Sequence, residues 1–198
     1  MSAVVHIVDD DEAMRASVAF LLDIEGIRTK TYDSALSLLA AADALEPGCV
    51  ITDIRMPNMT GLELVEEMHR RGVGHPVIVL TGHADVALAV QAMKAGVIDF
   101  LEKPFENAAL LRAVRTALDH GQAQHDRAVL QTRVAQLTLR EREVFDAVVA
   151  GESNKTTALK LGISPRTVEI YRANVMAKMH ANSLSDLVRM AMHLEEGR

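Results

Sequence analysis

Along residues 1–120, short apolar runs alternate with stretches in which apolar positions recur every three or four residues. The runs are VVHIV (4–8), IRTKTY (27–32), CVIT (49–52), VIVL (77–80) and VIDFL (97–101). Most are continuously apolar rather than alternating, the pattern of strands buried on both faces of a parallel sheet. Four helical patterns lie between them. Glu12–Glu25 carries Val18, Leu21 and Leu22 on one face and stops at Gly26, and Ser34–Leu45 opens on a serine cap. Leu62–Arg71 stops at Gly72 and Ala84–Ala95 at Gly96, glycine being the usual residue just past a helix end. A last helix follows Pro104. Five such units with right-handed crossovers predict an α/β fold, a doubly wound five-stranded parallel sheet.

The pattern changes after residue 120. Residues 121–136, GQAQHDRAVLQTRVAQ, are polar, helix-permissive and rich in Gln and Ala. They read as a partly helical linker, with Gly121 a point at which the preceding helix can end. Beyond it the strand signals vanish, and Leu137–Leu194 reads as four short helices. The expected organisation is an α/β domain over 1–120, a linker over 121–136 and an all-α domain over 137–198.

Charge supports the division. The net charge of −6 conceals an acidic front, with 10 Lys and Arg against 18 Asp and Glu in residues 1–120, and a back with 11 against 9. Two domains with different partners are expected. No Trp and only six Phe or Tyr argue against a base-stacking single-strand binder. No apolar run approaches the ~20 residues of a membrane span, and the basic start of a signal peptide is absent, so a cytoplasmic protein without membrane contact is expected. The lone Cys49 has no disulfide partner within the chain and reads as a buried structural thiol.

In an open parallel sheet, ligands collect at the carboxyl ends of the strands. The first strand ends in Asp9, Asp10, Asp11 and Glu12, the third in Asp53, the fourth in Thr81, and the fifth in Lys103. Clustered carboxylates suit a hard divalent cation such as Mg²⁺, which takes one or two of them together with phosphate oxygens and water. Asp53 then suits a nucleophile that forms an aspartyl phosphate, with Lys103 and Thr81 contacting the phosphoryl oxygens. A cis peptide at Lys103–Pro104 would aim the ammonium inward. Taken singly, each residue has a plainer reading: a helix cap for the acidic run, a turn residue for Thr81, a surface lysine for Lys103. Their arrival at one edge of one sheet is what favours chemistry.

With the acidic pair Asp9–Asp10, the DIRMP stretch around Asp53, Thr81 and the Lys103–Pro104 pair, residues 4–118 resemble the receiver domain of two-component response regulators, whose fold is flavodoxin-like. The resemblance implies phosphorylation of Asp53 by a sensor histidine kinase. It also implies Mg²⁺ held directly by Asp10, Asp53 and the Arg55 backbone carbonyl and through water by Asp9, with Asp11 left as a helix cap. Phe100 stands where the family carries its switch aromatic, the alternative being a core residue of the fifth strand. Residues near Arg55 and His83 are where the family varies the lifetime of the acyl phosphate.

In the back half, SNKTTALKLGISPRTVEIYRANVMAKM (153–179) reads as helix, Gly162 turn and second helix, with Ser164 a good cap and Pro165 suited to the first helical position. Val168, Val175 and Met179 mark a core face, and Arg166, Glu169, Arg172 and Lys178 fall mainly outside it. This is a helix-turn-helix signature. Arg172 and Lys178 suit phosphates or guanine and Glu169 a cytosine amino group; a solvated charged face is the equal alternative. The stretch 137–180 resembles the LuxR-type helix-turn-helix, and ISPRTVE, YRANVMAKM and NSLSDLVRMAM resemble the FixJ subgroup of response regulators. That resemblance extends the DNA-contacting set to Thr167, Tyr171 and Asn174. One departure is Thr157, where the family usually carries an aliphatic residue; looser packing of its helix is expected.

The resemblance implies a transcription activator, switched by phosphate from a haem-containing oxygen sensor, that acts on nitrogen-fixation or microaerobic genes. Such a regulator binds double-stranded promoter DNA, engages RNA polymerase, and forms a homodimer through its fourth helix (84–95), fifth strand and fifth helix (105–119). Two rivals use the same features. A Mg²⁺-dependent phosphatase or mutase would also use an aspartyl nucleophile, but commonly carries a second acid two residues on, where this chain has Arg55. A ligand-sensing LuxR-type regulator would need a small-molecule pocket in front, of which the aromatic-poor first half carries no sign.

Overall fold

The computed structural model describes residues 3–82 and 86–195. Two compact units divide after Gln124. The first contains strands β1 (Val4–Val8), β2 (Arg28–Tyr32), β3 (Gly48–Asp53), β4 (Val77–Thr81) and β5 (Asp99–Glu102). All are parallel, in the order β2-β1-β3-β4-β5. Alternate residues of a strand point to opposite faces, and here both faces are covered. Val5, Ile7, Cys49, Ile51, Ile78 and Leu80 pack under α1 (Glu12–Ile24) and the first part of α5 (Asn107–Ala135). Val8, Val50, Val77 and Val79 pack under α2 (Ala35–Ala40), α3 (Gly61–Arg70) and α4 (Val86–Lys94). The edge strand β2 is exposed at most of its positions, which is why its first four residues, Arg28 to Thr31, are polar and only Tyr32 is buried. Cys49 is fully buried, and burial pushes its thiol up to about 12.

The pattern-based boundaries hold within a few residues, with instructive differences. The second helix stops at Ala40 and continues only as a 3₁₀ turn over Ala42–Ala44. The last strand begins at Asp99 rather than 97, because Val97 and Ile98 pack in the loop that leads into the sheet edge. The expected start of the fourth helix at Ala84, like His83, lies outside the described residues.

Gly121 does not end α5, which runs unbroken to Ala135. A Cβ at Gly121 would stand 2.7 Å from the Gly48 carbonyl oxygen, so glycine is there to let the helix approach the sheet. Gly48 is still tighter, since its own Cβ would overlap the Val4 carbonyl.

The second unit holds the end of α5 and helices α6 (Leu139–Val149), α7 (Asn154–Leu161), α8 (Pro165–Met179) and α9 (Leu184–Glu195). Its core includes Leu130 of α5 beside Val144, Phe145, Val148, Ala158, Val168, Val175, Met179 and Leu187. Residues 125–135, expected as linker, therefore form a fifth helical element of this core. Thr157 is buried, and its hydroxyl donates to the Ser153 carbonyl at 3.1 Å.

Candidate functional site

Each acidic or basic residue at the sheet's carboxyl edge is placed by the element that carries it. Asp9 leaves β1 and is nearly buried; its Oδ1 accepts the Asp11 backbone N–H at 2.9 Å, and its carbonyl accepts Arg15 Nη1. Asp11 caps α1 by accepting from the Ala13 and Met14 backbone N–H groups, while Asp10 is exposed. Asp53 closes β3, opposite Leu80, with its Oδ2 accepting the Arg55 backbone N–H at 2.6 Å. Thr81, fully buried, closes β4, and its carbonyl accepts the Lys103 backbone N–H at 2.7 Å. The Lys103–Pro104 peptide is cis.

These placements bring Asp9, Asp53 and Lys103 into direct contact. Lys103 Nζ lies 2.6 Å from Asp53 Oδ1 and 2.9 Å from Asp9 Oδ2, all three side chains largely buried. Desolvation pulls the ammonium down, but hydrogen bonds and charge from Asp53 and Asp9 outweigh it and hold the lysine pKa above its ordinary value. Phe100 is half-buried against the cluster that includes Val79 and Val97.

The donor chemistry fits a hard cation. Lys103 supplies one positive charge against the carboxylates of Asp9 and Asp53, with the acid of Asp10 next in sequence, so a deficit of positive charge remains. Each ionised carboxylate accepts up to about four hydrogen bonds, and those of Asp9 and Asp53 receive two each, so lone pairs are left over. Among the described residues no three His, Cys, Asp or Glu side chains are arranged to hold a metal ion by themselves. Mg²⁺ keeps several waters and takes few protein ligands, so the left-over carboxylate lone pairs at this edge are the kind of donor it would use.

One residue at this edge escaped the sequence pattern. A Cβ on Gly61 would lie 2.3 Å from the Asp53 carbonyl oxygen, and the Gly61 N–H donates to the Ile54 carbonyl at 3.0 Å. Locally Gly61 reads only as the residue after the Thr60 cap, and nothing near it in sequence reveals what lies beneath.

In the helical unit, Ser164 caps α8, accepting from the Thr167 N–H, and Gly162 makes the left-handed turn (φ 65°) after α7. Val168, Val175 and Met179 are the buried residues of α8. Arg166, Glu169 and Asn174 are exposed on its other side, together with Ile170 and Ala173. The remaining candidates are engaged within the unit. The Thr167 hydroxyl stands 2.8 Å from that of Ser164, and Tyr171 packs on the core. Arg172 donates to Asn154 Oδ1, joining α8 to α7. Lys178, its side chain 37% exposed, donates to the buried Glu141 carboxylate at 2.6 Å and so also ties α8 to α6.

Comparison with known proteins agrees with both units. Residues 5–115 match the response regulator receiver domain, and residues 135–191 match the luxR family of bacterial regulatory proteins. The transcriptional regulatory protein FixJ of Azorhizobium caulinodans is 52% identical over 192 residues, covering 95% of this chain and 91% of that protein. FixJ of Rhizobium meliloti is 50% identical over 192 residues, covering 95% and 94%. Among solved structures, full-length FixJ from B. japonicum covers both chains completely at 44% identity and TM-score 0.60. The response regulator StyR covers 97% of this chain and 99% of its own at 37% identity and TM-score 0.71. These relatives are regulators by name, and the phosphatase or mutase alternative gains no support. This chain belongs to the FixJ-like response regulators, transcriptional regulators that join a receiver domain to a LuxR-type DNA-binding domain and are not enzymes in their own right.

Proposed function

We propose that Asp53 is the phosphoacceptor and that its phosphorylation, by a sensor histidine kinase, switches promoter binding by α8. The observation that carries this reading is the contact of Lys103 with both Asp53 and Asp9, three residues from three strand ends. A carboxylate so paired is held in place, as a nucleophile must be. Lys103 then moves its ammonium from the carboxylate to a phosphoryl oxygen, and Thr81, at the end of the neighbouring strand, donates to another. Asp10, Asp53 and the Arg55 carbonyl would hold Mg²⁺ directly and Asp9 through water; the ion supplies charge neutralisation at the transferring group.

Adding roughly −1.5 to −2 of charge at Asp53 must bias an element with two arrangements. Phe100, half-buried on β5, is the ring placed to repack when Thr81 shifts. The face of α4, β5 and α5, on which Val90 and Met93 are exposed, is the surface through which the phosphorylated form dimerises. A twofold dimer presents two α8 helices to adjacent half-sites of double-stranded promoter DNA. There Arg166, Glu169 and Asn174 face the bases and backbone.

By its resemblance to the FixJ subgroup, the chain reads as a cytoplasmic activator of nitrogen-fixation or microaerobic genes that works with RNA polymerase; the relatives' own names say only that they are transcriptional regulatory proteins. Among the described residues no helix is long and apolar enough to cross a membrane. The test is incubation with Mg²⁺ and acetyl phosphate, followed by mass, oligomer size and promoter binding. The wild-type protein gains one phosphoryl group and dimerises. If Asp53→Asn takes up phosphate and dimerises equally well, Asp53 is not the acceptor.

A further inference from the structure

Two arginines near the end of α5 meet the carboxyl ends of two other helices. Arg133 Nη1 donates to the carbonyl of Met179, the last residue of α8, at 3.0 Å. Arg127 Nη2 donates to the Leu194 carbonyl, in the last turn of α9, at 3.3 Å. Between them Leu130 sits in the core of the helical unit. From the opposite direction Lys178 of α8 donates to the Gln136 carbonyl at 3.3 Å and to Glu141. The final carbonyls of a helix have no partner inside it and carry partial negative charge, so a guanidinium there is favourable twice over. The end of α8 benefits especially, because its left-handed stop is His180 (φ 55°), a position where glycine is the usual residue.

We propose that Arg133 is a positioning residue for DNA recognition: from α5, it fixes the carboxyl end of α8 and with it the direction in which Arg166, Glu169 and Asn174 point. The inference rests on α8 being the reading helix. At its amino end the Ser164 cap is internal to the helix and ties it to no other element, and its middle is joined to α7 by Arg172 on Asn154. The carboxyl end is held by Arg133, by Lys178, and by burial of Met179. Fifteen residues span roughly 22 Å, so a tilt of about 3° at the carboxyl end displaces the amino end, where Arg166 stands, by ~1 Å, more than a hydrogen bond to a base edge tolerates.

The experiment uses the full-length protein treated with Mg²⁺ and acetyl phosphate, and an operator duplex selected by the wild-type protein from a randomised pool. R133M keeps the aliphatic packing and removes the donor, R133K keeps a donor, and R166A reports on the exposed face of α8. We expect R133M to weaken operator binding about tenfold and R133K to stay within about threefold of wild type. Affinity for a random-sequence duplex and the salt slope of binding should be unchanged, since a residue that acts only by directing α8 neutralises no phosphate. Arg133→Leu, which also lacks a donor, replaces R133M if the latter does not fold.

Operator affinity equal to wild type in the donor-less variant overturns the proposal. So does a parallel loss for operator and random duplex, or a loss that tracks only the unfolded fraction in thermal melts, since either marks a merely structural arginine. If R166A leaves operator binding intact, the assignment of α8 as the reading helix fails first, and the role of Arg133 falls with it.

Discussion

Lys103 Nζ lies 2.6 Å from Asp53 Oδ1 although the two residues are 50 positions apart in sequence. The contact exists because β3 and β5 both pair with β4 and end at the same edge. The backbone N–H of Lys103 is tied to Thr81 on the intervening strand. Removing the ammonium leaves two carboxylates facing each other without their shared cation. Lys103→Met should slow phosphate uptake from acetyl phosphate by about 100-fold, the scale of losing one aimed electrostatic contact. A mass-resolved time course checks this, and a rate within twofold of wild type would remove Lys103 from the reaction.

Gly61 should tolerate no side chain. With its Cβ 2.3 Å from the Asp53 carbonyl, Gly61→Ala must displace either α3 or the end of β3. A cost of roughly 1–3 kcal/mol is expected, read by urea denaturation, together with slower phosphate uptake because Asp53 moves.

Gly121→Ala carries a less obvious expectation. Alanine is favoured over glycine inside a helix by about 1 kcal/mol, so on propensity alone the change stabilises α5. The Gly48 carbonyl 2.7 Å from the new Cβ reverses the sign. A lowered unfolding midpoint for the receiver unit is the expected result, and a raised one would show that the helix shifts freely.

Acid sensitivity should trace in part to His6. Its ring is fully buried, with Nε2 2.9 Å from the Glu46 carbonyl and Nδ1 3.3 Å from the Tyr32 hydroxyl. Burial lowers its pKa from 6.5, outweighing the Glu46 hydrogen bond, which raises it. The unfolded chain therefore binds this proton first, so the stability is complete above pH 6.5 and declines as pH falls from there toward the depressed folded value. His6→Gln retains a donor for Glu46 and should flatten that decline in melts between about pH 7 and 5. An unchanged pH profile would point to other groups.

Thr157→Val tests whether the hydroxyl matters. The Ser153 carbonyl that accepts it also accepts the Thr157 backbone N–H at 2.9 Å, so nothing is orphaned by its loss. The melting of the helical unit should change by less than about 1 kcal/mol, in either direction.

Much of this protein was legible along the chain. Continuous apolar runs marked strands covered on both faces, the caps at Ser34, Ser164 and Asp11 marked helix starts, and the strand ends pointed to Asp9, Asp53, Thr81 and Lys103. These signals are local, because strand period, helix period and cap chemistry involve residues a few positions apart. The folded chain decided what local patterns do not carry. It showed that Gly121 serves close packing rather than a helix break, and that Gly61 lies against Asp53. It also placed residues 125–135 in the helical core and turned Lys178 toward Glu141 while Arg166, Glu169 and Asn174 remained outside. A cation on a helix face looks the same in sequence whether it meets a phosphate or a buried carboxylate; only the elements packed around it determine which.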